Sequence, residues 1–139
     1  QKRVSDNHLA NVIFLPPMPR AESPGMLSAA DAFVLPNRKG EFFKGNLPNK
    51  LFDFLASARP IVVAGAGETP ELVTAAGAGK YGPPEDSQTM ASLLVELANL
   101  PEAARMAMGA RGRDYVFANY DRDRLSERFL AILSAAVKL

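Results

Sequence analysis

The stretch that decides the fold is LPNKLFDFLASARPIVVA, residues 47–64. From Leu51 to Ala56, apolar residues recur at the spacing of one helix face. Pro60 ends that helix, and the wholly apolar run 61–64 follows at once. A helix that leads into a short apolar strand is half of a β-α-β unit with a buried parallel sheet. The stretch therefore predicts an α/β fold.

The rest of the chain repeats this alternation. Strands are predicted at 12–15, 32–35, 61–64 and 79–82, mostly short apolar runs bounded by Pro or Gly. Helices are predicted at about 22–30, 48–58, 70–75 and 87–97, then at 101–117 and from 121 or 123 to 137. Strands that alternate with helices imply a Rossmann-like, doubly wound parallel sheet, here followed by C-terminal helices.

Residues 46–50, at the start of the helix in the opening stretch, are predicted to lie at the carboxyl edge of this sheet. Ligands of open α/β folds bind at that edge, and free N–H groups at a helix start favour anions such as phosphate. The glycine-rich turn at 65–70 matches neither the GxGxxG nor the GxxxxGK[ST] pattern. We therefore interpret that turn as structural and predict the ligand site at 46–50.

Composition excludes several classes of function. The chain has 139 residues, no cysteine and a formal net charge of +1, without a basic stripe that would suit a nucleic acid. His8 is the only histidine, which excludes a histidine-based triad within the chain, and neither a metal site nor another cofactor is predicted. No apolar run approaches the ~20 residues of a membrane span, so we expect a cytoplasmic protein.

Five segments, read in order, resemble one protein family. They are NVIFLPPMPR at 11–20, AADAFVLP at 29–36, the opening stretch from 47, PIVVAGAGETPELV at 60–73 and GKYGPPEDSQTMA at 79–91. Together they resemble the C-terminal, donor-binding domain of retaining, nucleotide-sugar-dependent glycosyltransferases of GT-B fold, the glycosyl transferases group 1 type. The resemblance implies a hexosyltransferase of polysaccharide biosynthesis. Such an enzyme moves a sugar from a nucleoside-diphosphate sugar, here of the uridine type, to a glycan, lipid or similar acceptor.

The resemblance also implies how the chain is organised. In the family this domain opens with a further strand and helix, whereas here the first strand signal comes at Asn11 after a polar segment. We therefore expect residues 1–139 to be a single donor domain that lacks its first strand and helix. A separate N-terminal domain would hold the acceptor and could bring the protein to a membrane surface. The chain alone is then expected to bind the donor without turnover.

The last helix is expected to be poorly covered on one side. In the family the terminal helix crosses back onto the N-terminal domain. We therefore predict that Leu125, Phe129 or Ile132 is partly exposed in this chain.

Two acids are candidates for the sugar contacts that the resemblance implies. Asp53 takes the place of the family acid that binds the ribose hydroxyls, and a carboxylate can accept two hydrogen bonds from a vicinal diol. The other reading is a solvated helix acid. The family acid that touches the donor sugar lies two helical turns earlier, where this chain has Gly45. Glu41 is the catalytic candidate for that contact if the loop 37–45 bulges, and otherwise a surface charge beside Lys44.

The remaining candidates surround the helix start and the loop after the first predicted strand. Free N–H groups and an ammonium suit a diphosphate, although a lysine there can equally face solvent. The stiff, proline-rich loop would meet the nucleobase, or else is a plain connection. The candidate substrate contacts are Asn46, Leu47, Asn49 and Lys50 at the helix start, and Pro17, Met18 and Arg20 in the loop. The basic pair that the family uses most directly on the diphosphate has no counterpart here.

Two other functions stay open at this level. Gly45 and the absence of the basic pair also fit a non-catalytic nucleotide-sugar-binding or assembly module of the same fold. A nucleotide-sugar epimerase shares the architecture, but it needs ionisable acid and base groups, and this chain has few candidates.

Overall fold

The computed structural model describes residues 2–137 and contains, within them, one sheet of three parallel strands. The strands are β1 (Phe33–Pro36), β2 (Ile61–Ala64) and β3 (Gly79–Gly82), paired in the order β1-β2-β3. Phe33 pairs with Ile61 and Ile61 with Gly79, so the strands begin and end at the same levels. The predicted strands at 61–64 and 79–82 are confirmed, and the one at 32–35 is shifted by a single residue.

Helices flank and follow the sheet. In the described chain they are α1 (Lys2–Asp6), α2 (Ser23–Ser28), α3 (Glu41–Lys44), α4 (Asn49–Ala56), α5 (Glu68–Ala75), α6 (Ser87–Asn99), α7 (Glu102–Tyr120) and α8 (Arg122–Val137). A 3-10 helix, Arg20–Glu22, leads into α2. The longer predicted helices are confirmed with small shifts at their ends. The short helices α1 and α3 lie where the sequence pattern predicted no element.

The main core lies between one face of the sheet and helices α4 and α5. Successive strand residues point to opposite faces, and the residues of this face join the buried side chains of the two helices in one cluster. Its largest members are Phe33, Leu35, Ile61 and Val63 from the strands and Leu51, Leu55, Leu72 and Val73 from the helices. Phe33 also stacks on Phe54, with ring centroids 4.1 Å apart.

Helix α6 covers the opposite face. A Cβ at Gly82 would contact Thr89 and Leu93 of α6, which shows how closely that helix approaches β3. All four residues of the central strand β2 are buried, because helices cover both of its faces. Val34 of β1 points to the α6 side and is 43% exposed. Helices on both faces of a parallel sheet confirm the predicted doubly wound architecture.

Helix α7 packs against α4 through two buried glycines. A Cβ at Gly109 would overlap the carbonyl oxygen of Ala58, just beyond α4. At Gly112 it would lie 2.8 Å from Ala78 Cβ and 3.1 Å from Leu55 Cδ2. The missing side chains let the α7 backbone come close to the core, so the small residues, rather than apolar spacing, define this contact.

The predicted strand at 12–15 is wrong. Residues 12–19 form neither helix nor strand, and Ile13 and Leu15 are 79% and 63% exposed. A strand is stabilised by hydrogen bonds to a neighbouring strand, and within residues 2–137 β1 pairs with β2 alone. Leu15 is therefore not at the carboxyl edge of the sheet. Pro36 ends β1 and Gly65 follows β2, as predicted.

The prediction for the last helix is confirmed. Helix α8 has no buried residue, and Leu125, Phe129 and Ile132 are 40%, 60% and 67% exposed. Separately, none of the helices within residues 2–137 combines the length and apolar character that crossing a membrane requires.

Candidate functional site

The three strands end at one level, so the turns after them meet at one edge of the sheet. These turns are 37–40, 65–67 and 83–86. Helix α4 begins at the same edge, because the chain leaves the end of β1 before it and returns to the start of β2 after it. The carboxyl edge of an open parallel sheet is the usual position of a ligand site.

A clamp between two turns holds the start of α4. Gly67 has φ +82°, and a Cβ there would overlap the carbonyl oxygen of Lys44. Only glycine combines that backbone angle with so close an approach. The next contact is polar: the fully buried Thr69 donates its hydroxyl to the Asn46 carbonyl oxygen at 2.7 Å. The glycine-rich turn thus has a structural role, and it fixes the segment 44–46 against the start of α5.

Helix α4 presents its polar candidates on one exposed face. Leu51 and Leu55 are buried against the core, whereas Asn49, Lys50 and Asp53 are exposed. Lys50 and Asp53 are three residues apart, yet the ion pairs within residues 2–137 are only Lys44–Glu41 and Lys80–Glu96. No side chain caps the start of α4. This face therefore offers an ammonium, a carboxylate and helix-end N–H groups that have no partner among the described side chains.

The other candidates at the helix start lie lower on the surface. Asn46 and Leu47 are half-buried and immediately precede α4. Glu41 lies in α3, where its Oε1 accepts a hydrogen bond from Lys44 Nζ at 2.6 Å. The structure therefore engages Glu41 in a local ion pair on an exposed helix, beside but not on the polar face of α4.

The proposed base contacts are not brought to this face. Pro17 and Arg20 are exposed and Met18 is half-buried, in a segment that ends at the 3-10 helix. Among the described residues, backbone hydrogen bonds of this segment join Val12 to Leu9 and Glu22 to Pro19, and none reaches the sheet.

Sequence reasoning missed three residues at this edge. Thr69 forms the clamp described above, and Glu68 precedes it with an exposed carboxylate. Asn37 follows β1, and its Nδ2 is buried against Gly65 without a hydrogen-bond partner in the described chain. The available signal was position, since each is a polar residue directly after, or one short turn after, a buried strand.

Asp86, in the turn after β3, is occupied by helix capping. Its Oδ1 accepts the N–H of Thr89 at 3.0 Å and its Oδ2 accepts the Thr89 hydroxyl at 2.7 Å. The backbone N–H and then the hydroxyl favour the charged carboxylate, so they lower the pKa of Asp86. The same contacts satisfy a free N–H at the start of α6.

Two cavities open beside the polar face of α4. One of about 850 Å³ is lined mainly by glycine, alanine and proline from the turns 65–67 and 82–84 and by one side of α5. Another of about 490 Å³ lies between Asn37, Arg38 and the start of α6. Neither is lined by Lys50 or Asp53. We place the candidate site on the α4 face, because the unpartnered charged groups are there.

Comparison with known proteins defines the family. A family model described as Glycosyl transferases group 1 matches residues 1–99. GDP-mannose-dependent monoacylated alpha-(1-6)-phosphatidylinositol monomannoside mannosyltransferase of Corynebacterium glutamicum is 31% identical over 136 residues. That alignment covers 96% of this chain and 35% of the relative, so the chain spans about a third of the relative's length. The chain belongs to Glycosyl transferases group 1.

A solved structure supports the same fold. Sucrose-phosphate synthase from Thermosynechococcus elongatus matches with a TM-score of 0.78 over 96% of this chain and 33% of that chain, at 19% identity. This likeness shows the Rossmann-like fold of the GT-B glycosyltransferases and confirms the predicted fold class.

Proposed function

We propose that this chain is the donor-binding half of a hexosyltransferase that uses a nucleoside-diphosphate sugar. A separate N-terminal domain would hold the acceptor, a glycan, lipid or similar molecule, and the cleft between the domains would be the catalytic site. The chain alone then binds the donor without turning it over. We further propose that the protein works in the cytoplasm, with the acceptor domain as its contact to a membrane surface.

The observation that carries this proposal is the polar face of α4. Lys50 and Asp53 lie on one exposed face at the carboxyl edge of a parallel sheet and form no ion pair with a described residue. In the proposed complex, Lys50 and the free N–H groups at the helix start bind the diphosphate. Asp53 accepts hydrogen bonds from the ribose hydroxyls. Asn46, Leu47 and Asn49 form the wall beside them.

These groups would act on the leaving group. In the reaction, the bond between sugar C1 and the diphosphate oxygen breaks, and the acceptor hydroxyl oxygen forms the new bond to C1. Negative charge develops on the departing diphosphate, where an ammonium and helix-end N–H groups stabilise it. We assign no general base to this chain. Retention of the anomeric configuration is an expectation from the resemblance alone.

The base of the donor separates two versions of the proposal. Our prediction is uracil, with Pro17, Met18 and Arg20 as its contacts, whereas the Corynebacterium relative is named for a GDP-mannose donor. Calorimetric titration of the chain with UDP, GDP, ADP and CDP distinguishes these bases. Saturable binding of UDP alone supports the uridine version, and preference for GDP replaces it. Binding of none of the four contradicts the donor-domain proposal.

A non-catalytic binding module is the second candidate, and Gly45 is the observation that favours it. Glycine stands where the resembled family has its donor-sugar acid. Release of nucleoside diphosphate by the full-length protein, measured with its donor and cell-derived acceptor extracts, distinguishes the two. Donor binding without release under any acceptor would support the module.

A further inference from the structure

The side-chain space at Gly45 is occupied from another element. A Cβ built on Gly45 meets one neighbouring heavy atom within 4 Å, the Oε1 of Glu68, at 3.9 Å. Gly45 precedes α4, and Glu68 is the first residue of α5. The carboxylate of Glu68 therefore lies beside the place where a side chain at position 45 would begin.

This placement is fixed by the fold on both sides of Glu68. Gly67, the preceding residue, packs its backbone on the Lys44 carbonyl, and Thr69, the following residue, bonds the Asn46 carbonyl. The three consecutive residues 67–69 thus run along 44–46. Glu68 itself is exposed and has no ion-pair partner among residues 2–137. Its carboxylate remains available to a ligand above the start of α4.

Glu41, the acid expected from the sequence, differs in both respects. It is engaged by Lys44 in an ion pair at 2.6 Å, and its side chain is 86% exposed on the short helix α3. A carboxylate that is already paired with an ammonium has less capacity to accept hydrogen bonds from a ligand hydroxyl.

We propose that Glu68 is the carboxylate that binds hydroxyl groups of the donor sugar, supplied from α5 in place of a side chain at position 45. The inference rests on the proposed function, since it names a further contact in the same donor site. A carboxylate has two oxygens and can accept from two adjacent hydroxyls, which suits the diol of a hexose. Glu68 then contributes to the choice of sugar, while Lys50 and Asp53 bind the nucleotide.

A purely structural role for Glu68 makes a different prediction. An acid in the first turn of a helix interacts favourably with the helix dipole, and Glu71 also lies in the first turn of α5. Glu71→Gln is therefore the matched control, because it removes the same charge from the same helix end without approaching Gly45. A dipole effect lowers the melting temperature in both variants and leaves ligand preference unchanged.

The test uses the full-length protein and two ligand pairs, UDP with UDP-glucose and GDP with GDP-mannose. The pair that wild type binds is titrated against Glu68→Gln, Glu71→Gln and Glu41→Gln. We expect Glu68→Gln to weaken the nucleotide sugar roughly tenfold while the bare diphosphate binds as in wild type. Glu71→Gln and Glu41→Gln should leave both affinities unchanged. An equal effect of Glu68→Gln on both ligands, or no effect, overturns the inference but leaves the proposed function standing.

A charge swap provides the second arm. Gly45 has φ −90° and ψ 8°, a conformation open to other residues, and its side-chain space is bounded by Glu68 alone. We expect Glu68→Ala to lose preference for the nucleotide sugar and the double variant Gly45→Glu, Glu68→Ala to regain part of it. Failure of the folded double variant to regain any preference overturns the inference. Absence of nucleoside-diphosphate binding in wild type overturns the proposed function and this inference with it.

Discussion

Asp53 can be tested without disturbing the fold, since its carboxylate makes no hydrogen bond to a described residue. Asp53→Asn keeps the shape but leaves one acceptor oxygen for two ribose hydroxyls. Charge-assisted hydrogen bonds contribute roughly 1.5–3 kcal/mol each, so we expect roughly tenfold weaker binding of both uridine and UDP. Calorimetric titration measures both. Unchanged affinities in a folded variant would show that Asp53 is only a solvated helix acid.

Lys50 should give a different result, because its proposed partner is phosphate. Lys50→Ala removes an exposed ammonium that forms no ion pair with described residues. We expect UDP to bind roughly tenfold more weakly and uridine to bind as before. The same titrations report the ratio of the two affinities. An equal loss for uridine and UDP would contradict a specific phosphate contact.

At the scale of elements, the approach of α7 to the end of α4 depends on Gly109. A Cβ there overlaps the Ala58 carbonyl, a backbone atom that cannot move aside as a side chain can. We expect Gly109→Ala to lower the free energy of unfolding by about 1–3 kcal/mol in urea titration. Gly25→Ala in α2 is the control, since a Cβ there meets nothing within 4 Å. It should be neutral or stabilise by up to about 1 kcal/mol.

The cap of α6 should make stability depend on pH in a defined direction. The pKa of Asp86 is lowered in the folded state, so its contribution is fully present above the ordinary value of 3.8. That contribution is lost as pH falls through the lowered pKa, because the carboxyl becomes protonated. We expect Asp86→Ala to lower the melting temperature at neutral pH. The difference from wild type should hold down to about pH 5 and shrink only at lower pH.

At the scale of the whole molecule, the bare side of α8 should contribute little to the stability of this chain. Phe129 and Ile132 are 60% and 67% exposed, so Phe129→Ser with Ile132→Ser removes little buried apolar area. We expect the free energy of unfolding of the chain to change by less than about 0.5 kcal/mol per substitution. Leu55→Ala in the core is the contrast, expected to cost about 2–5 kcal/mol. A large loss from the α8 variant would show that the helix is covered in solution.

The sequence by itself determined the local elements and the class of fold. The run 61–64 is wholly apolar because the central strand is covered on both faces, so its burial is visible without a structure. The helix before it carries its apolar residues on one side and its polar candidates on the other. These are periodic features, which depend only on residues near one another in the chain.

The tertiary structure alone decided which distant residues meet. The segment 12–15 reads as a strand, yet pairing needs a neighbour, and none is present within residues 2–137. Glu41 lies closer to α4 in sequence than Glu68, but Lys44 engages it, whereas the close approach at Gly67 places Glu68 beside Gly45. Contacts of this kind join positions more than twenty residues apart through backbone packing. Local periodicity carries no information about such contacts, because packing between elements sets them.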